Sequence, residues 1–493
     1  MDEQIKHGLP NQCMFLNADG QIMNIEYGKP GFHRSELSTD NQKANREIVN
    51  RYNERHGITA EQVKMMHRGA LFGWEKLQIP DSLNQWEANM KGNCIFEIEI
   101  SNLEFIGSYV AAKVSLPATP YENVDALDKT RVTVGKTEYV IEILESPIIY
   151  LPQFIDSGIN LYELNYLAHR LAAFEPWELD CFEGMLMIDT IQTSYAPVPI
   201  DRLINMTHST VDCQVVYEAQ DDLSLGKFYA DNGFVPELES LPENVFKWLD
   251  YKKIGKELRE NERGIFTPDG YVVLNGEISQ IYKSGDAIPA DQPDYTVLLK
   301  VSKVYFNNSQ SENDLSAFIK LPIDSRELYN AVREVGAASR KECVLTAVDC
   351  IIPRLTRLIT DGSFDQANEL AKQLQNLEQS NSIPVLKAML EAAPKDINLE
   401  DVSELANHTG DFSILREAGA PVNYAEKEIW KMLTYDSDMD LEKYFDLSLF
   451  GWVMMAKNGI VKTSYGLLEP RDGRTVEQYL VRPDISEPCM KIE

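Results

Sequence analysis

Apolar and polar positions alternate through Phe96-Glu-Ile-Glu-Ile-Ser-Asn-Leu-Glu-Phe105, and a strand-like pattern returns in Val297-Leu-Leu-Lys-Val-Ser-Lys-Val-Tyr-Phe306. A period of two puts one side of a segment in a core and the other at a surface, so both stretches predict β-strands. A second strand follows each, ending in Ser115-Leu116-Pro117 and in Lys320-Leu321-Pro322. The next residues, Thr119-Pro120-Tyr121-Glu122 and Asp324-Ser325-Arg326-Glu327, pair a capping side chain with Glu three positions later, which predicts a helix start. Pro120 at the first helical position adds to that signal. The parallel continues from Glu138-Tyr-Val-Ile-Glu-Ile-Leu-Glu-Ser to Glu342-Cys-Val-Leu-Thr-Ala-Val-Asp-Cys, and from Leu164-Asn165-Tyr166-Leu167-Ala168 to Ala367-Asn368-Glu369-Leu370-Ala371. The offset between the two runs stays between 201 and 205, so the chain carries two copies of a small ββαβα-like module, at 94–190 and 295–393.

Three further parts surround the copies. Residues 1–90 read as a hairpin with its tip at Asn17-Ala18-Asp19-Gly20-Gln21, then helices over 41–55 and 59–68. Residues 196–280 read as an acidic segment with a capping box at Ser240-Leu241-Pro242-Glu243, an apolar stripe through Val245, Phe246, Leu249, Ile254 and Leu258, and a hairpin turn at Phe266–Tyr271. Residues 394–493 read as helical to about Tyr444, then as a hairpin turning at Lys457-Asn458-Gly459-Ile460, where Asn-Gly suits a type I′ turn. Leu71-Phe72-Gly73-Trp74 recurs as Leu449-Phe450-Gly451-Trp452, the kind of aromatic anchor that ends a helix. The expected fold is α+β, multidomain and elongated, with helical and hairpin units at both ends.

The length of 493 residues agrees with several domains. Asp and Glu number 77 against 47 Lys and Arg, a net charge of −30. A surface of that sign opposes direct nucleic-acid binding through phosphates and docking on anionic lipid. The seven cysteines have no CxxC spacing, and no run of 18 uncharged apolar residues occurs, so the expectation is a reduced, cytoplasmic protein without a membrane span. GxGxxG, GxxxxGK[ST], HExxH and GxSxG are absent. Asp436-Ser437-Asp438-Met439-Asp440 starts like a calcium loop but has Leu441 at the glycine position and Leu447 at the glutamate position. Cys343 with His408 lacks an orienting third group. No cofactor, metal or catalytic set is therefore expected.

The layout of the acids is more informative than their number. Residues 138–250 hold 20 acids and 4 bases, a net −16, interleaved with Leu, Ile, Phe and Tyr. Spaced carboxylates on a folded surface resemble the field of B-DNA, which carries a phosphate charge every ~1.7 Å along its axis. A DNA-binding protein would be steered toward such a surface and held in a salt-sensitive way.

The stretch Leu223–Glu243, with Leu249-Asp250-Tyr251-Lys-Lys-Ile-Gly-Lys-Glu-Leu258 and Gly264-Ile-Phe-Thr-Pro-Asp-Gly-Tyr271, resembles the C-terminal part of the ArdA antirestriction family. The resemblance is clear over about 50 residues and looser over 96–280. It implies an elongated, acidic, non-enzymatic DNA mimic of a mobile genetic element or phage, whose partner is a host DNA-binding defence protein. A type I restriction-modification enzyme is the first such partner and a CRISPR effector the second. The phosphate surrogates would be Glu142, Glu145, Asp156, Glu163, Glu175, Glu178, Asp180 and Glu183 in the first module, then Asp221, Asp222, Glu237, Glu239 and Glu243. The chain departs from the family in its length, its second module copy and Lys252, which stands where the family helix has Glu. Family members often form homodimers, whereas a duplicated module can supply pseudo-symmetry within one chain. Two alternatives stay open: a protein-interaction scaffold whose acidity only serves solubility, and an enzyme with dispersed residues.

Overall fold

The computed structural model describes residues 94–104, 110–193, 197–238, 243–286, 288, 293–303, 316–416, 421–432 and 445–480, together with two strands nearer the N-terminus. Those two, β1 (Gln12–Leu16) and β2 (Ile22–Glu26), pair antiparallel with Leu16 opposite Ile22. The expected helices at 41–55 and 59–68, Leu71–Trp74 and the calcium-like loop at 436–440 lie outside the described residues.

The fold is α+β, built from small antiparallel sheets and helices. Strands β3 (Phe96–Asn102) and β4 (Ala111–Leu116) precede helix α1 (Pro120–Thr130) and β5 (Tyr139–Glu145), and the sheet order is β4-β3-β5. The alternation read in the sequence is visible in β3, where Phe96, Ile98 and Ile100 are fully buried. The expected capping box at the start of α1 is formed: Glu122 N–H donates to Thr119 Oγ1 at 3.2 Å, and Thr119 N–H to Glu122 Oε2 at 2.9 Å. Helices α2 (Leu161–Ala172), α3 (Pro176–Thr193) and α4 (Ile200–His208) follow. Then come β6 (Cys213–Val216), α5 (Asp222–Asp231), α6 (Tyr251–Glu262), β7 (Ile265–Thr267) and β8 (Gly270–Leu274), with sheet order β6-β8-β7.

The same order then starts again. Strands β9 (Val297–Lys303) and β10 (Ser316–Leu321) lead to α7 (Ser325–Glu334) and β11 (Cys343–Cys350), ordered β10-β9-β11. Helices α8 (Thr356–Asp361), α9 (Phe364–Gln379), α10 (Ile383–Ala392) and α11 (Leu399–Asn407) come next. After them lie β12 (Phe412–Leu415), α12 (Pro421–Met432), α13 (Leu447–Lys457), β13 (Val461–Thr463) and β14 (Gly466–Pro470), ordered β12-β14-β13. A short helix α14 (Val476–Tyr479) ends the described chain.

The sequence reading stops the second copy at 393, but the fold carries the correspondence on to 470. Backbone details match across this extension. A Cβ on Gly255 would stand 1.8 Å from the Asp222 carbonyl oxygen, and one on Gly451 would stand 2.1 Å from that of Pro421. Thr267 Oγ1 donates to the Gly270 carbonyl at 3.1 Å and Thr463 Oγ1 to that of Gly466 at 2.8 Å. Asn275 N–H donates to Asp212 O, and Arg471 N–H to Asp411 O, each at 2.8 Å.

Three local expectations change: strand β12 (Phe412–Leu415) interrupts the stretch expected to be helical to about Tyr444, because it pairs with β14 far along the chain. The segment Glu243–Trp248 is a 3₁₀ turn, and the regular helix begins only at Tyr251, where Asp250 caps the Lys253 amide at 3.2 Å. The Asn458-Gly459 pair does not turn a hairpin. Asn458 caps α13, and Gly459 adopts φ 67°, the left-handed conformation that ends helices. The hairpin turns instead at Ser464-Tyr465, between β13 and β14.

The chain divides into two compact units: 1–98, 115–117 and 141–289 form one, and 99–114, 118–140 and 290–493 the other. Helix α1 thus belongs to the second unit. There Tyr121 joins the core built on Val297, Leu299, Leu370, Leu386 and Met389. Thr119 Oγ1 donates to Asp349 Oδ1 at 2.8 Å, and Tyr295 OH to Asp349 Oδ2 at 2.8 Å. A register shift in β11 between Ala347 and Asp349 lies beside this carboxylate. Lys387 on α10, its side chain 1% exposed, bridges Asp125 at 2.9 Å and Asp128 at 2.8 Å on α1.

Candidate functional site

The candidate surface lies in the first unit, where the acid-rich segment folds. Its outermost acids occupy positions that local structure turns to solvent. Glu142 and Glu145 are exposed on β5, whose alternation buries Ile141. Asp156 is exposed in a loop and accepts the Gly158 amide at 2.7 Å. Asp221 is exposed as the N-cap of α5, accepting the Ser224 amide at 2.7 Å. Glu237 is exposed in a 3₁₀ turn.

A second group is half-buried and takes part in local structure. Glu178 Oε2 accepts the Glu175 amide at 2.9 Å, and Trp177 Nε1 donates to Glu175 Oε2 at 3.1 Å, so both acids sit at the start of α3, where the helix dipole favours negative charge. Glu183 is half-buried in the same helix. Asp222 receives Arg259 Nε at 2.8 Å and one terminal nitrogen at 3.3 Å, which neutralises it within the α5–α6 pair.

Two of the thirteen expected surrogates are not on the surface. Asp180 is 2% exposed and accepts Tyr217 OH at 2.8 Å. Glu163 is 6% exposed and accepts Tyr282 OH at 3.0 Å and the Ser284 hydroxyl. A carboxylate enclosed in this way cannot stand in for an exposed phosphate; it ties distant chain segments together. Glu239 and the Glu243 side chain lie outside the described residues.

Two of the four bases of the segment, Arg170 and Arg202, are engaged in contacts within the unit. Arg170 is half-buried and donates to Thr207 Oγ1 at 3.2 Å and to Thr207 O at 2.7 Å. Arg202 pairs with the buried Asp189 at 2.8 Å. Beside Arg170, burial first and then the guanidinium charge lower the His208 pKa to about 4, so this imidazole is neutral near pH 7 and adds no positive charge. Among the described residues from 141 to 250, nine acids are exposed against two bases, Lys227 and Lys247.

Asp212, Glu218, Asp231 and Asp250, outside the thirteen expected surrogates, are exposed in the same unit. The local acid count already contained them, but side-chain exposure was not legible without the fold. Exposed apolar side chains are interspersed: Trp177 and Phe234, with Trp248 at 79%. A cleft of about 530 Å³ lies beside β7, lined by Ile188, Ile191, Arg259, Arg263 and Phe266. Arg259 there is already committed to Asp222. Among the described residues no group of three His, Cys, Asp or Glu side chains is placed to hold a metal ion. No helix among them is long and apolar enough to cross a membrane.

No protein-family model matches the chain, and no curated protein matches it at a significant level.

Proposed function

We propose that the chain is a non-enzymatic anti-defence protein that occupies the DNA-binding site of a host defence enzyme by offering carboxylates in place of phosphates. This reading follows the resemblance to the ArdA family, with a type I restriction-modification enzyme as the first target and a CRISPR effector as the second. The observation that supports it is the charge placement among the described residues between 141 and 250: nine exposed acids against two exposed bases, with Arg170 and Arg202 drawn into internal contacts. A DNA-binding cleft presents spaced cations to a polyanion, and such a surface supplies the opposite field with a low desolvation penalty at its exposed groups. The exposed Trp177 and Trp248 offer the aromatic contacts that protein interfaces favour and DNA lacks.

The test is competition. The protein at micromolar concentration should displace duplex DNA from a type I restriction enzyme or a CRISPR effector, with inhibition weakening steeply as salt rises. Glu142→Gln, Glu145→Gln, Asp156→Asn and Glu237→Gln combined should weaken inhibition at least about tenfold, mainly through slower association. Failure to displace DNA across a representative panel would overturn the reading, as would inhibition indifferent to salt and to these substitutions.

A further inference from the structure

Two cysteines from separate elements of the first unit meet. Cys181 lies on α3 and is fully buried, whereas Cys213 opens β6 and is partly exposed. The Cys213 thiol donates to the Cys181 carbonyl at 3.8 Å, and the two thiols are hydrogen-bonded neighbours. Two other described cysteines face oxygens instead: Cys94 donates to Glu97 Oε1 at 3.2 Å and Cys343 to Ser339 O at 4.0 Å. The seam around the pair is held by flanking contacts. Thr210 Oγ1 donates to Glu178 Oε1 at 3.5 Å, and Tyr217 OH to Asp180 Oδ2 at 2.8 Å. Helix α3 and the start of β6 are therefore fastened together beside the sulfurs before any bond forms between them. In the second repeat the equivalent strand, β12, opens with Phe412. Packing at this place does not call for sulfur.

We propose that Cys181 and Cys213 form a redox pair, which a disulfide oxidant closes into an intramolecular bridge between α3 and β6 and a thiol reductant reopens. Cys213 is the sulfur that an oxidant in solution reaches first. Its thiolate attacks one sulfur of oxidised glutathione, and the other half leaves as a thiolate that takes up a proton. Cys181 then gives up its proton and attacks the Cys213 sulfur, expelling the second glutathione. Each protein thiol loses one hydrogen, two electrons pass to the oxidant, and two molecules of reduced glutathione are released. The order of steps follows from the surroundings of Cys181. Its hydrogen bond to Cys213, then burial, then the charges of Asp180 and Glu178 push this thiol up, so it stays protonated and unreactive beside a free Cys213. Capping Cys213 removes the first of these causes, and Cys181 attacks only after its neighbour has been oxidised. In a compartment rich in reduced glutathione the pair rests open, and its bridge is transient. The bridge encloses helix α4, since it links positions 32 residues apart, and so restrains the unfolded chain.

Oxidation of the full chain with oxidised glutathione, followed by peptide mass mapping without reduction, tests the pair whatever the chain binds. The expected product is one peptide pair joined through Cys181 and Cys213, with no glutathione retained on either, and opened by dithiothreitol. In Cys181→Ser the reaction should stop with glutathione held on Cys213. In Cys213→Ser it should leave Cys181 a free thiol. Amide exchange over 176–193 and 213–216 should slow at least about tenfold when the parent chain is oxidised, and not in Cys181→Ser. A stable glutathione on Cys213 of the parent chain, with Cys181 still free, would overturn the proposal. So would Cys213 joined to a different cysteine, or exchange that quickens on oxidation, which marks a bond that the seam does not fit.

Discussion

The Lys387 cluster offers a quantitative test of how the second unit holds α1. Lys387 lies between Asp125 and Asp128, and each acid keeps another partner: Lys129 at 2.8 Å and Tyr465 OH at 2.9 Å for Asp125, Arg416 at 3.3 Å for Asp128. Removing one member of a buried ion pair typically costs about 3–5 kcal/mol, because a charge is left enclosed. The remaining partners reduce that loss, so Lys387→Met should destabilise the second unit by about 2–3 kcal/mol. Adding Asp125→Asn and Asp128→Asn to that variant should recover most of the stability, since the stranded charges are gone. At the equivalent position α3 carries the apolar Ile188. That equivalence rests on the six-residue connections from α3 to α4 and from α10 to α11.

Hydrogen exchange resolved by peptide is the suitable assay, since two compact units do not unfold as one two-state system. Peptides over 297–303 and 120–130 should lose protection together in Lys387→Met, while those over 213–216 and 270–274 should not. The effect also has a pH signature. Burial would raise the Asp125 pKa, but Lys387 and Lys129 overcome it and hold the carboxyl below its ordinary value. The pair's contribution is therefore present above about pH 4 and lost as the carboxylate protonates below it. A cost below about 1 kcal/mol for Lys387→Met would refute this account, as would a triple variant no more stable than the single one.

Other expectations follow from single features. Gly255→Ala and Gly451→Ala should each destabilise their own unit by about 2 kcal/mol or more, because a Cβ would collide with a backbone oxygen that no side-chain rotation can move; urea titration followed by peptide exchange reads each separately. Burial pushes the Asp349 pKa up to about 7 against the donors Thr119, Tyr295, and the amides of Tyr121 and Cys350. The folded state thus holds a proton that the unfolded state releases, so this contribution falls as pH rises from about 4 to 7, and Asp349→Asn should flatten that slope. His208 has the opposite sign. Its folded pKa is lowered to about 4, so its contribution is lost as pH falls from about 6.5 to 4, and His208→Gln should flatten the acid limb of the first unit. Glu163→Gln should loosen the segment around Tyr282 and Ser284, seen as faster exchange there, without changing the outcome of the DNA competition assay that tests the proposed function, since the carboxylate is enclosed.

The sequence by itself determined the elements whose cause is local. The period of two in 96–102 and 297–303, the Thr119–Glu122 capping box and the turn at Thr267–Gly270 depend on neighbours within a few residues, and each forms where the pattern puts it. The concentration of acid between 138 and 250 is likewise a property of the chain alone. Only the tertiary structure decided which acids meet water. The partners of Glu163 are 119 and 121 residues away and that of Asp180 is 37 away, so no local pattern marks these carboxylates as enclosed. The repeat beyond 393 was hidden for a related reason. Its matching features are backbone contacts, a glycine under a carbonyl and an amide on a distant oxygen, which hold geometry while side chains diverge. The same divergence made α6 charged and α13 apolar at equivalent exposed positions. A helical period reads the second as more core, and only the fold leaves that face open.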